Sequence, residues 1–134
     1  MESLTERMEK AGDALARLHE VVIRDDLSDL ERDGLIQRFE FCFEILWKCA
    51  KDYLREVEGI DAASPKNVIR MSRNVGLLTD EETEQALAMV NDRNSTSHMY
   101  DENMAVLLAD HIKEYETLMQ RWYQKMNEKD ATQE

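Results

Sequence analysis

The chain has 134 residues, the usual size of a single domain, and its 43% hydrophobic and 34% charged residues exclude a disordered tail. No apolar run approaches the roughly 20 residues that span a bilayer, and four glycines with one proline are too few turn formers for a sandwich or barrel of many strands. Acidic residues outnumber basic ones by 29 to 17, and the resulting charge of -12 repels polyphosphate at long range unless the few cations are gathered in one place.

In chain order, Leu4, Met8, Ala11, Leu15, Leu18 and Val22 recur at steps of three and four and predict a first helix from Ser3 to Ile23. Its start, MESLTERMEK, has no charged-then-apolar signal region, so a cytoplasmic protein is expected. Asp25, Asp26, Ser28, Asp29, Asp33 and Gly34 break the pattern, and a second helix is expected from Leu35 to Val57. On it Gln37, Glu40, Glu44, Lys48, Lys51 and Arg55 make a narrow polar stripe, while aromatic and aliphatic residues cover most of the remaining circumference. Such a helix is central or shared with a partner. Cys42 and Cys49 lie seven positions apart on it, beyond disulfide reach on a helix rising about 1.5 Å per residue, and read as reduced core thiols.

Gly59 suits a helix stop, Ser64-Pro65 an N-cap followed by proline at the first helical position, and Gly76 the end of that third helix. Thr79 and Glu82 have capping-box spacing and open a fourth helix that runs into Asn91-Asp92-Arg93. Asp101 caps a last helix patterned through Met104, Leu107, Leu108, His111, Ile112, Tyr115, Leu118, Met119, Trp122 and Met126. The pattern predicts an all-α fold, an antiparallel four-helix up-and-down bundle with an additional short helix. Residues 1–126 form its single domain and 127–134 a frayed polar tail.

Chemistry concentrates in Asn91-Asp92-Arg93-Asn94-Ser95-Thr96-Ser97-His98-Met99-Tyr100-Asp101, almost wholly polar between two apolar-patterned helices. Arg93 and His98, five apart, diverge by about 140° on an ideal helix, so they converge only where the helix ends or across a second subunit. One reading is a capped helix end whose Arg pairs with a carboxylate and whose His is solvated. The other uses the imidazole to take the proton of an RNA 2′-hydroxyl and the guanidinium to hold the phosphate as charge develops. That chemistry needs no metal, but it wants an acid as well as a base, and two copies of His98 across a two-fold axis would supply both.

Lys66, Arg70 and Arg73 lie on one face of the third helix, in an acid-free run from Ala62 to Thr79, either as an ordinary solvated face or as a phosphate-binding wall. Glu40 stands where it can face the polar cleft, whereas His111, on the apolar stripe, reads as a hydrogen-bonded core residue. His98, Asp101 and Glu102 lack the paired spacing of a metal site, and there is no Gly-rich phosphate loop. Neither a metal nor a cofactor is expected.

Two segments together, Arg38-Phe39-Glu40-Phe41-Cys42-Phe43-Glu44-Ile45-Leu46-Trp47-Lys48 and Asp92 to Glu102, resemble the nucleotidyltransferase substrate-binding family, a branch of the HEPN superfamily. Ser64-Pro65-Lys66, Ile69-Arg70 and Gly76-Leu77-Leu78 extend the similarity over about Leu35 to Trp122. The resemblance implies a helical homodimer that works with a separate minimal nucleotidyltransferase, often as a toxin and antitoxin pair. It implies that Arg93 and His98 cleave RNA without metal in a cleft between subunits, and that Tyr100 can be nucleotidylated by the partner. Asn94, Ser97, Lys66, Arg70, Arg73 and Glu40 are the candidate substrate-binding residues. The chain lacks the Gly-Ser and paired-Asp signature of the transferases, so it is not expected to transfer nucleotides itself. The alternatives are a noncatalytic subunit that binds nucleotide for the transferase and a purely structural acidic bundle.

Overall fold

A computed structural model of the protein describes residues 3–95 and 101–133, and every regular element among them is a helix. α1 spans Leu4–Val22, opened by Ser3, whose hydroxyl accepts from the Glu6 backbone N–H at 3.2 Å. α2 spans Asp29–Glu58 and so begins six residues before the expected Leu35. Ser28 and Glu31 satisfy each other's backbone N–H groups at 3.1 and 3.0 Å, and Asp29, which read as loop, lies with Glu31 in a first turn that favours negative charge. Gly34, expected as a break, is carried inside α2 with nothing within 4 Å of where a Cβ would point.

Gly59 ends α2 in the left-handed region at φ 68, a conformation glycine adopts without steric penalty, and the Ile60 N–H returns to the Leu54 carbonyl at 2.9 Å. α3 spans Pro65–Asn74 behind its Ser64 cap, and α4 spans Asp80–Asn94 behind the Thr79–Glu82 capping box. α5 spans Glu102–Gln133, seven residues past Met126, through the stretch expected to fray. Residues 127–133 hold no proline or glycine to stop it.

α1, α2 and α5 pack against one another, α3 lies on α2, and α4 lies on α3 and α5. α1, α2 and α5 are thus a mutually packed trio, and the shorter helices α3 and α4 pack on each other and close against α2 and α5 respectively. Its core is built on Phe39, Phe43, Leu46, Tyr53 and Trp122, all buried. The Trp122 indole N–H donates to Ser72 Oγ at 3.2 Å and so ties α5 to α3. Gly12 of α1 admits Tyr123 of α5, whose hydroxyl donates to the Met8 carbonyl at 3.0 Å. Two buried carboxylates are matched from α1, Asp52 by Arg7 and Glu116 by His19 at 3.1 Å. Cys42 and Cys49 are buried free thiols, and burial, reinforced by Glu116 and Asp52 respectively, pushes each up to about 12. Among the described residues no helix is long and apolar enough to cross a membrane.

Candidate functional site

The polar segment begins where α4 ends, so the last turn of α4 sets what it can present. Asp92 and Arg93 are consecutive there and diverge by about 100° around the helix. Asp92 turns to α5: its Oδ2 accepts from the Tyr115 hydroxyl at 2.5 Å and lies 3.3 Å from His111 Nδ1. Tyr115 in turn stacks on Phe39 of α2 with ring centroids 5.8 Å apart, and His111 meets Tyr115 edge-on at 6.2 Å. Burial and then the bond to Asp92 hold the Tyr115 hydroxyl well above the ordinary tyrosine range, so it remains a donor at neutral pH.

Arg93 is half-buried, and its charge is felt by Glu44 of α2. Glu44 also accepts from the Trp47 indole N–H at 3.1 Å and pairs with Lys48 at 3.1 Å. Burial pushes the Glu44 carboxyl up, but the Lys48 and Trp47 hydrogen bonds and the charges of Lys48 and Arg93 outweigh it and hold the group below the usual carboxylate range. The end of α4 is therefore a small polar cluster of both signs, backed by the aromatic core.

The other expected site residues are distributed unevenly. Asn94 is exposed as the last residue of α4, and Glu40 is half-buried one turn before Glu44. Ser97, His98 and Tyr100 lie outside the described residues. Lys66 is half-buried and Arg70 exposed on α3, whereas Arg73 is paired with Asp80 at 2.6 Å. Asp80 opens α4 and Arg93 nearly closes it, so the whole helix, about 20 Å at 1.5 Å per residue, separates Asp80 from Arg93. Arg73 is thereby held at the opposite end of α4 from Arg93. His111 corrects the expectation for it: it is hydrogen-bonded but 47% exposed, at the edge of the α5 stripe rather than in the core. Asp92 and Tyr115 are not among the site residues the sequence suggests; the polar position immediately before Arg93 is the available signal. Among the described residues no three His, Cys, Asp or Glu side chains converge on a metal position.

A second feature emerges only in three dimensions. Arg7, Lys10, Arg17, Arg38 and Lys48 line an open groove of about 950 Å³ between α1 and α2, floored by Phe41, Ile45 and Cys42. Their charge is partly met within the chain, since Arg7 pairs with Asp52, Arg38 with Glu20 and Lys48 with Glu44.

Residues 6–128 match the family model described as nucleotidyltransferase substrate binding protein like. A Haemophilus influenzae protein named probable ribonuclease HepT is 31% identical over 86 residues, 61% of this chain and 58% of that protein. A crystal structure of a Thermus thermophilus protein is 47% identical, with a TM-score of 0.84 over 87% of this chain and 98% of that one. A Shewanella oneidensis HEPN toxin, tri-AMPylated and in complex with its MNT antitoxin, shares the fold at 16% identity, with a TM-score of 0.68 over 95% of this chain and 98% of that one. With the family match covering nearly its whole length, the chain belongs to the nucleotidyltransferase substrate-binding family.

Proposed function

We propose that this protein is the HEPN-type subunit of a two-component system with a minimal nucleotidyltransferase, and that Arg93 and His98 form a metal-independent ribonuclease site at a homodimer interface. The observation that carries the reading is the placement of Arg93. It lies on the final turn of α4, three residues before Thr96, where its charge reaches Glu44 of α2. A half-buried guanidinium at that helix end suits phosphate that gains charge during cleavage. The Haemophilus relative's name supports a ribonuclease, and the Shewanella complex, a tri-AMPylated HEPN toxin bound to its MNT antitoxin, supports a partner and a modification of that kind. Adenylation of Tyr100 would place a bulky anion two residues from His98 and exclude RNA.

The dimer is supported by Met104 and Leu107, which are exposed on α5 at helical steps leading to His111, beside the end of α4. Leu107→Asp is expected to shift the protein toward monomer in analytical ultracentrifugation and to lower cleavage in parallel; an unchanged dimer would remove α5 from the interface. The site itself is tested with labelled RNA in the presence of chelator. Native protein is expected to yield 2′,3′-cyclic phosphate ends and His98→Ala none, while a folded, unmodified native dimer that leaves RNA intact would favour the noncatalytic nucleotide-binding subunit.

A further inference from the structure

α1 and α2 each turn a stripe at helical spacing toward the groove between them, Arg7, Lys10 and Arg17 from one and Gly34, Phe41 and Ile45 from the other. Phe41 is 68% exposed on the groove floor, and Ile45 beside it is half-buried. Gly34 has nothing within 4 Å of where a Cβ would point. A glycine inside a helix costs about 1 kcal/mol relative to alanine, and here its bare backbone leaves room for an occupant to come close. Five cations and a single carboxylate, Asp13, line the groove, whereas the chain as a whole carries -12. The groove is also preformed: Arg38 donates to the Arg17 carbonyl at 2.5 Å and Arg7 pairs with the buried Asp52, which ties α1 to α2 at either end.

We propose that this groove receives an amphipathic helix of the nucleotidyltransferase partner, about three turns long, with an apolar stripe on Phe41 and Ile45 and carboxylates toward the basic rims. The inference rests on the two-component reading above and adds a docking surface to it. The length follows from α1, on which Arg7 and Arg17 stand about 15 Å apart at 1.5 Å per residue. A third helix fills the groove between two packed helices, and its i, i+3 and i+4 side chains cover an apolar floor. Charge separates this occupant from RNA. Arg7 pairs with Asp52, Arg38 with Glu20 and Lys48 with Glu44, so a polyanion meets a partly neutralised wall and the repulsion of the whole chain. A helix with a few carboxylates brings little charge and gains chiefly from covering Phe41 and Ile45. Glu44, which pairs with Lys48 on the rim, also feels Arg93, so a partner docked here lies next to the end of α4.

The test titrates a cognate minimal nucleotidyltransferase, without nucleotide, into the protein by calorimetry. Phe41→Ala combined with Arg17→Glu removes the apolar anchor and reverses a rim charge, and Gly34→Gln fills the space at the bare backbone. None of the three positions is buried, so circular dichroism and oligomeric state are expected to stay native. Both variants are expected to raise Kd at least about 10-fold, while Lys125→Glu, outside the groove, binds like the native protein. Variants that bind the transferase as tightly as the native protein would overturn the docking surface and leave the two-component reading standing; if they lose RNA instead, the groove is a nucleic-acid site. Variants that dissociate to monomers would assign the groove to a second copy and overturn the proposal as well. Native protein that does not bind the transferase would overturn both readings.

Discussion

Asp92 is the residue on which the end of α4 hangs, because its one oxygen meets both Tyr115 and His111 of α5. Removing the Tyr115 hydroxyl leaves that oxygen to water and His111, since Asp92 is 35% exposed. Tyr115→Phe is therefore expected to cost about 1 kcal/mol in urea unfolding, and no measurable loss would show that solvent replaces the bond fully. A second prediction concerns pH. Unfolded thiols ionise at about 8.5 and tyrosine at about 10. Folded Cys42, Cys49 and Tyr53 hold their protons up to about 12, in each case chiefly through burial. The unfolded chain binds fewer protons in that window, so stability is intact below roughly pH 8.5 and falls as pH rises through it. Urea midpoints from neutral to alkaline pH check this; Cys42→Ala is expected to flatten the decline, and an unchanged slope would contradict the assignment. At this scale the sequence pattern locates Arg93 but misplaces His111, because periodicity puts a residue on a stripe without saying whether it lies at the stripe's centre or its edge.

The helix boundaries show which signals carry over to structure. Thr79 with Glu82, Ser64 with Pro65, and Gly59 each act by a specific hydrogen bond or backbone conformation, and each stands where its chemistry predicts. Ser28 and Glu31 have the same spacing as Thr79 and Glu82, yet the surrounding aspartates and Gly34 mask that signal, and the pattern alone starts α2 too late. Ser28→Ala is expected to cost about 1 kcal/mol of stability, and a neutral result would mean that the first turn of α2 is held by packing instead. Gly12 illustrates a contact that no local pattern reveals. A Cβ there would lie 2.6 Å from the Tyr123 hydroxyl oxygen, which bonds the Met8 carbonyl. Gly12→Ala must displace that hydroxyl, so it is expected to destabilise by about 1 kcal/mol or more, and much less in a Tyr123→Phe background. Equal losses in both backgrounds would place the strain elsewhere.

For the molecule as a whole, composition and periodicity are enough for an all-helical bundle, because long stripes at helical spacing have few other ways to bury their apolar faces. The candidate site is legible only in part. Arg93 follows from its polar surroundings, but the coupling of Arg93 to Glu44 and of Asp92 to α5 depends on which helices meet, and that is set by packing across the bundle. The charge of -12 limits what anion can approach, so the proposed ribonuclease reading calls for a short or partner-delivered RNA rather than a long free one. The most direct test of the two-component reading follows RNA cleavage and the labelling of Tyr100 in one reaction containing a cognate minimal nucleotidyltransferase and nucleotide. Cleavage is expected to fall in step with label at Tyr100 and to persist, unlabelled, in Tyr100→Phe. Cleavage that continues unchanged while Tyr100 becomes fully labelled, or label on the protein at no tyrosine, would contradict it.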